Sequence, residues 1–212
     1  VEIQNKLIVK GGGSNSIHLD GCSVDTIEVS KDTSDESAET PRIDLINTPV
    51  ETIEAEEPVI IEADESSAVS KVEAKNDVTI QGENTVVENI NVSEDAKEGG
   101  AKLNVDGAKV ETVSAEKPVE IEATNNAAAI EKVEAKSDVT LKGDSAKVEK
   151  IEVPESATSE PVIDVQNGSV GTVEANKAVE VKSTNNGNGK GNGKVSSINA
   201  NAGVKADSGA VD

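Results

Sequence analysis

His18, Cys22 and Arg42 are each the only residue of their type in a chain of 212. A structural or catalytic zinc site draws three or four ligands, mostly Cys and His, and one imidazole with one thiol does not supply them. Cys22 also lacks a partner for an internal disulfide, so it is expected to fill a small apolar site. The acids are more numerous. Glu28, Glu54, Glu73, Glu134, Glu152 and Glu174 occupy one place in a recurring pattern, and such a column could ligate calcium or offer acid–base pairs to a glycosidase. In a chain with 41 acidic residues, paired carboxylates say little by themselves. Lys71, Lys132 and Lys150 stand two residues before three of these glutamates, and Asn91 and Ser114 interrupt the series. A solvated, ion-paired face is the simpler expectation.

Other chemistries are weaker still. A cleft for acidic polysaccharides needs aromatic platforms and clustered arginine, whereas the chain has no aromatic residue and Arg42 alone. Thr26, Thr52, Thr112 and Thr172 share a pattern position, but Lys71, Asn89, Lys132 and Lys150 break the flat threonine array an ice-binding face would require. The TNNGNGKGNGK segment, Thr184 to Lys194, follows no βα unit, so it reads as a surface loop and not as a phosphate cradle. GGGSNSIHLD lacks the repeated GGxGxD spacing of calcium-binding β-rolls. No residue is therefore assigned a catalytic, cofactor-binding or metal-ligating role, and the chain is expected not to be an enzyme.

The recurring pattern is V-x-x-[I/V]-x-[A/V]. It begins at Val24, Val50, Val69, Val87, Val110, Ile130, Val148, Val170 and Val195, at intervals of 18 to 26 residues. Repeats near twenty residues mark stacked architectures. Within a unit, Val110 and Val113 are separated by two residues, so a bulge or bend at Glu111–Thr112 is needed to point both inward. Upstream of each unit lies a second short alternating stretch, such as Ile43 and Leu45, Val59 and Ile61, or Leu103 and Val105. Alternation gives each such strand one inward and one solvated face. Two strands meeting at a corner make one rung.

Rungs come in threes. Leu103 follows Ile43 by 60 residues, Ile163 follows Leu103 by 60, and Val119 follows Val59 by 60. Blocks near 41–100, 101–160 and 161–212 thus divide one solenoid domain spanning 1–212. Pro41, Pro58, Pro118 and Pro161 fall at strand starts, where a missing N–H is tolerated. Antiparallel sandwiches give no reason for units twenty residues apart to match position by position; a parallel coil does. The expected fold is all-β, a right-handed parallel β-helix (β-solenoid) of about nine to ten rungs.

Composition supports the same reading. With no Phe, Trp, Tyr or Met, the interior must be built from Val, Ile, Leu and Ala, which suit a narrow space between strands. A formal charge of −21 argues against nucleic acid, whose phosphates call for Lys and Arg, and against anionic membrane surfaces. There is no apolar run of eighteen residues, hence no expected membrane insertion. Neither a signal peptide nor an initiating Met is present, so the chain is expected to be a segment processed from a longer one.

The run LIVKGGGSNSIHLDGCSVDTIEV, Leu7 to Val29, resembles the β-helical segment of surface proteins of Firmicutes, often in chains that carry S-layer homology modules. Gly11, Gly12, Gly13, Ser14, Asn15, Ser16, Ile17, His18 and Leu19 carry the likeness, and the VTIQG and VTLKG strands share its general style. The resemblance covers about a tenth of the chain. It implies a right-handed parallel β-helix exposed on, or secreted from, a Gram-positive cell. No S-layer homology module lies in the chain, so wall anchoring would belong to flanking domains of the parent protein. The expected function is a rigid extracellular spacer or adhesive module, with cell-wall or host glycans or proteins as partners. The alternative is a carbohydrate-active β-helix that binds or cleaves polysaccharide, and a third is binding through the Thr184 to Lys194 loop.

Overall fold

The structure, a computed structural model, describes residues 2–13, 17–30, 39–125, 128–184, 193–207 and 210–211. Every regular element among them is a β-strand. In chain order these are β1 (Glu2–Val9), β2 (Ile17–Asp20), β3 (Ser23–Val29), β4 (Arg42–Ile46), β5 (Val50–Ala55), β6 (Val59–Ala63), β7 (Val69–Ala74), β8 (Val78–Gln81), β9 (Val86–Val92) and β10 (Ala101–Asp106). They continue as β11 (Lys109–Ala115), β12 (Val119–Ala123), β13 (Ala129–Ala135), β14 (Val139–Lys142), β15 (Lys147–Val153), β16 (Val162–Gln166), β17 (Ser169–Ala175), β18 (Val179–Lys182), β19 (Lys194–Ala200) and β20 (Val204–Ala206).

Odd-numbered strands form one ten-stranded sheet and even-numbered strands the other, each stacked in chain order. All the pairings are parallel, so the chain alternates between sheets and climbs one strand spacing per coil. This is the β-solenoid the repeats predict. Pairs β3/β4 to β17/β18 make about eight closed coils, fewer than the nine to ten rungs expected, because β1/β2 and β19/β20 are open on their outer sides. At about 4.8 Å per strand, nine steps give a rod roughly 43 Å long.

The bulge explains how the repeated unit works. Between β11 and β13 the register passes from Val110 opposite Ile130 directly to Thr112 opposite Lys132, with Glu111 and Glu131 left between. The same step recurs between β3 and β5 and between β15 and β17. One irregularity per strand switches the inward face, so the first, fourth and sixth positions all point to the core. Val110, Val113 and Ala115 are accordingly fully buried. Stacking then produces continuous columns, one of them Ile27, Ile53, Val72, Ile90, Val113 and Val133, each buried.

The even-numbered sheet is less regular than the sequence suggests. Ile43 stands over Ile61, not over Val59, and Leu103 over Ile121, and Ile163 over Val181. The register slides by two residues once per three-rung block. A two-residue slip keeps every side chain on its own face, so the core tolerates it.

Corners carry the sequence signals that alternation cannot. Gly21, Asn47, Gly82, Gly107, Gly143 and Asn167 all have positive φ and end the even-numbered strands, turning the chain toward the next odd-numbered strand. Just beyond, Thr48, Ser67 and Thr85 are buried. Thr48 N–H donates to Ser67 Oγ at 2.8 Å, Cys22 N–H to Thr48 Oγ1 at 3.2 Å, and Ala63 N–H to Thr85 Oγ1 at 2.9 Å. These hydroxyls replace main-chain acceptors at the corner. In later coils Ala108, Ala128 and Ala146 take the place and are buried as well. On the opposite side, Pro41, Pro58, Pro118 and Pro161 each precede a strand, as expected, and their carbonyls remain useful: Ile60 N–H donates to Pro41 O at 3.0 Å and Ala101 N–H to Pro118 O at 3.2 Å.

Gly99 and Gly100 both have φ of 85°. A Cβ at Gly99 would meet open space, whereas one at Gly100 would lie 1.7 Å from Pro118 O. Both substitutions to Ala carry the left-handed penalty, about 1–2 kcal/mol, and only the second adds a backbone clash. In urea unfolding, Gly99→Ala should therefore lose about 1 kcal/mol, and Gly100→Ala at least about 3 kcal/mol. Equal losses would contradict this placement of the loop against β12.

Candidate functional site

Two surface features concentrate the polar chemistry, and each is built by register. The first is the outer face of the odd-numbered sheet. Glu28 stands beside Glu54, Glu54 beside Glu73, Glu134 beside Glu152, and Glu152 beside Glu174, as expected of one pattern position. Asn91 and Ser114 fill the gap between Glu73 and Glu134. Two residues earlier runs a mixed column of Lys6, Thr26, Thr52, Lys71, Asn89, Thr112, Lys132, Lys150, Thr172 and Ser197.

Like charges a strand spacing apart repel, and the lysines relieve this across rungs. Lys6 Nζ lies 2.9 Å from Glu28 Oε2 and 2.6 Å from Glu54 Oε2. Lys132 reaches Glu152 at 2.8 Å, Lys150 reaches Glu174 at 2.5 Å, Lys136 reaches Glu134 at 3.7 Å, and Lys71 contacts Glu73. Every glutamate of the column thus has a cation beside it. Hydrogen bonds from Lys6 hold Glu28 below the usual carboxylate range, and Lys132 followed by Lys150 does the same for Glu152. Lys6 and Lys150 are held above the ordinary lysine value by Glu54 and Glu174 respectively. Among the described residues, no group of three or more His, Cys, Asp and Glu is placed to hold a metal ion.

The second feature lies on the even-numbered sheet and gathers the two unique basic residues. Register places His18 beside Asp44, and Nδ1 lies 2.8 Å from Asp44 Oδ2. His18 itself is outward and exposed, as its alternation indicates. Arg42 Nε comes 2.7 Å from Asp44 Oδ1, an ionic contact without hydrogen-bond alignment, and its Nη2 lies 2.5 Å from Glu62 Oε2. Gln81 Nε2 donates to the same Glu62 oxygen at 2.8 Å. Beside them opens a shallow groove of ≈ 320 Å³ bordered by Arg42, Asp44, Ile46, Glu62, Asp64 and Gly82. Asp64 accepts from Ser67 Oγ at 2.6 Å and from Ser66 and Asn47 N–H groups at 3.1 Å. Those donors, the Ser67 hydroxyl foremost, hold its carboxyl below the usual range. Cys22 is half-buried at the first corner, its Sγ 3.4 Å from Asp20 O.

Several of these placements escape the sequence reading. Lys6 is missing from the expected lysine series because β1 carries an extra residue: Ile3 pairs with Val24 and Lys6 with Thr26, with Asn5 at φ 82° between. The second pattern position is itself a run of acids, Asp25, Glu51, Glu88, Glu111, Glu131 and Glu149. Lys109 lies 2.7 Å from Glu131 there, which raises the lysine above its ordinary value. The V-E that heads the units at Val50, Val87, Val110 and Val148 signals it. The Arg42–Asp44–His18 grouping has no comparable signal, since it joins residues of different rungs. Of the expected binding loop Thr184 to Lys194, residues 185–192 lie outside the described residues, as do Ser14, Asn15 and Ser16 of the GGGSNSIHL run.

No protein-family model matches the chain, and neither a curated protein nor a solved structure matches it.

The ionic face and the Asp64 corner give a signed pH dependence. A carboxylate held below its unfolded value stabilises the fold above the ordinary range, and that contribution disappears as pH falls through the folded value. Glu28, Asp64 and Glu152 belong to this class. Lysines held above their ordinary value stabilise at lower pH and lose the contribution as pH rises through the folded value. Urea midpoints should therefore be flat between about pH 5 and 9 and fall below about pH 4. Asp64→Asn should lower the neutral-pH midpoint and make the acid fall shallower; an unchanged acid limb would remove Asp64 from this account.

Proposed function

We propose that the protein is a non-enzymatic rigid spacer or adhesive module of a larger bacterial surface protein. The observation that supports it most is the unbroken register of the odd-numbered sheet, in which the first pattern position of β3 leads without a slip through Val50, Val69, Val87, Val110, Ile130, Val148 and Val170 to Val195. Continuous main-chain pairing along one axis resists bending, and lysines beside the glutamate column relieve its repulsion on the outer face. The mechanism is mechanical: the rod holds whatever is attached at one end at a fixed distance from the other.

The high acidic charge keeps such a rod from adhering to its neighbours or to anionic envelopes. Extracellular placement accords with that charge and with the amino-terminal likeness to Firmicutes surface proteins. Partners in this reading are flanking domains of the parent protein and cell-wall or host glycans or proteins. Among the described residues, no helix is long and apolar enough to cross a membrane.

A second reading, polysaccharide binding or cleavage, draws on the groove beside Arg42. Of the carboxylates bordering it, Asp44 and Glu62 both contact Arg42, and Asp64 accepts hydrogen bonds from Ser67, Ser66 and Asn47, so these three are held by neighbours of their own chain. Release of reducing or unsaturated ends from a panel of acidic polysaccharides would reverse the order of the two readings.

Rigidity is measurable with the native thiol. Spin labels at Cys22 and at a cysteine replacing Lys205 should give one narrow distance distribution near about 40 Å, set by the strand spacing. Removal of residues 101–160, one whole block, should leave a folded chain shorter by about 14 Å. A broad distribution, or a block deletion that unfolds the rod, would defeat the spacer reading. Protease shaving of intact source cells should release the chain, and full protection would defeat surface placement.

A further inference from the structure

Two corners of the coil are built alike and differ in the residue that completes them. Asn47 and Asn167 each follow an even-numbered strand with positive φ, 47° and 65°. Each stands three residues before a first pattern position, Val50 or Val170. The next residue is Thr48 in one case and Gly168 in the other, and both are buried. Thr48 is branched at Cβ, and its N–H donates to Ser67 Oγ at 2.8 Å. Gly168 has no side chain, and among the described residues no acceptor meets its N–H.

Backbone conformation does not call for glycine here, since Gly168 does not itself have a positive φ and Ala108 fills the same place after Gly107. Close packing does: a Cβ at Gly168 would stand 3.0 Å from Ala146 O and from Leu141 Cδ2. The packing that selects glycine also sets the Asn167 side chain next to an unshielded main-chain nitrogen.

We propose that Asn167 is a site of spontaneous modification: it deamidates through a cyclic imide with Gly168, and the product loosens this corner. The main-chain nitrogen of Gly168 gives up its proton and bonds to Asn167 Cγ. The Cγ–Nδ2 bond breaks and ammonia leaves with that proton, closing a five-membered ring. Water then opens the ring at either carbonyl, and the product is aspartate or, with one more main-chain carbon, isoaspartate. At Asn47 the branched Thr48 hinders the approach, and its N–H must first leave Ser67. Exposure alone orders the two sites oppositely, because Asn47 is exposed and Asn167 half-buried.

The surroundings of the corner give the product a structural consequence. Gly168 O accepts the N–H of Lys194 at 3.0 Å, and Ser169 N–H donates to Ala146 O at 2.9 Å. An added main-chain carbon at position 167 displaces both partners, and the new carboxylate adds to a chain that already carries −21. Modification thus loosens β17 at its junctions with β15 and β19, the strands it pairs with.

The full chain, incubated at neutral and at mildly alkaline pH, folded and in urea, and then digested with trypsin, tests this. Peptide 151–177 carries Asn167 and peptide 43–71 carries Asn47, and both are separate from the Asn–Gly pairs that begin at Asn186, Asn188 and Asn192. In the folded chain Asn167 should convert at least about tenfold faster than Asn47, at a rate that rises with pH because the amide anion is the nucleophile. Fragmentation should place the change at Asn167 and not at Asn176, as a mixture of aspartate and isoaspartate. The modified fraction, isolated by anion exchange, should exchange the amide hydrogens of Ser169 and Lys194 at least about tenfold faster than fresh protein. Equal conversion of Asn47 and Asn167, conversion of Asn167 only after urea unfolds the chain, or unchanged exchange in the modified fraction would overturn the proposal.

Discussion

Parallel pairing of like with like is the constraint on which the molecule depends. In a parallel ladder each residue sits about 4.8 Å from its counterpart one coil away. Whatever occupies a pattern position must therefore be compatible with itself. Val, Ile and Ala meet that condition in the core, because flat β-branched side chains of similar size pile into columns without voids. The core is built from these residues and Leu, with no aromatic residue anywhere in the chain.

On the outer faces the constraint turns against the protein, since a repeated glutamate becomes a row of repelling carboxylates. The chain answers by breaking the neighbouring column with lysine. Lys6, Lys71, Lys132 and Lys150 lie within reach of glutamates on their own or adjacent coils, and Lys136 covers Glu134 from the corner. Each such exposed pair contributes little on its own. Their effect is to remove a penalty the repeat would otherwise accumulate coil after coil. The same logic operates on the even-numbered sheet, where Lys142 lies 2.5 Å from Glu120 and Lys102 3.5 Å from it. Burial pushes Glu120 upward, but the two lysines together outweigh it and hold the carboxyl low.

The architecture was legible because the repeat exposes it many times. Spacing of Val and Ile located the odd-numbered strands, alternation located the even-numbered ones, and the two-residue gap between Val110 and Val113 announced the bulge. Three things were not legible, each for a physical reason. The two-residue slip at Ile43 over Ile61 leaves the inward face unchanged, so hydrophobic pattern cannot detect it. The corner hydroxyls of Thr48, Ser67 and Thr85 are polar residues made buryable by hydrogen bonds to another coil, information no single rung contains. The grouping of His18, Asp44 and Arg42 depends on register between rungs of unequal length, with an eleven-residue connection from Ser30 to Thr40 intervening.

The three-rung period has a mechanical reading of its own. Short three-residue corners follow Ala55, Ala74, Ala115, Ala135 and Ala175, whereas the longer excursions at 93–100 and 154–161 come once per block. After each excursion the chain must return to a fixed place on the even-numbered sheet. Asp77 and Asp138 mark that place: their carboxylates accept the N–H of Lys102 and Val162 at 2.8 Å, at or beside the first residue of the returning strand. An aspartate on one coil thereby sets the start of the strand on the next. Loop length can vary because the anchor, not the loop, defines the register. It follows that insertions are tolerated between Ser93 and Gly100 but not at the three-residue corners, and that the block, not the single rung, is the unit in which such a rod can grow.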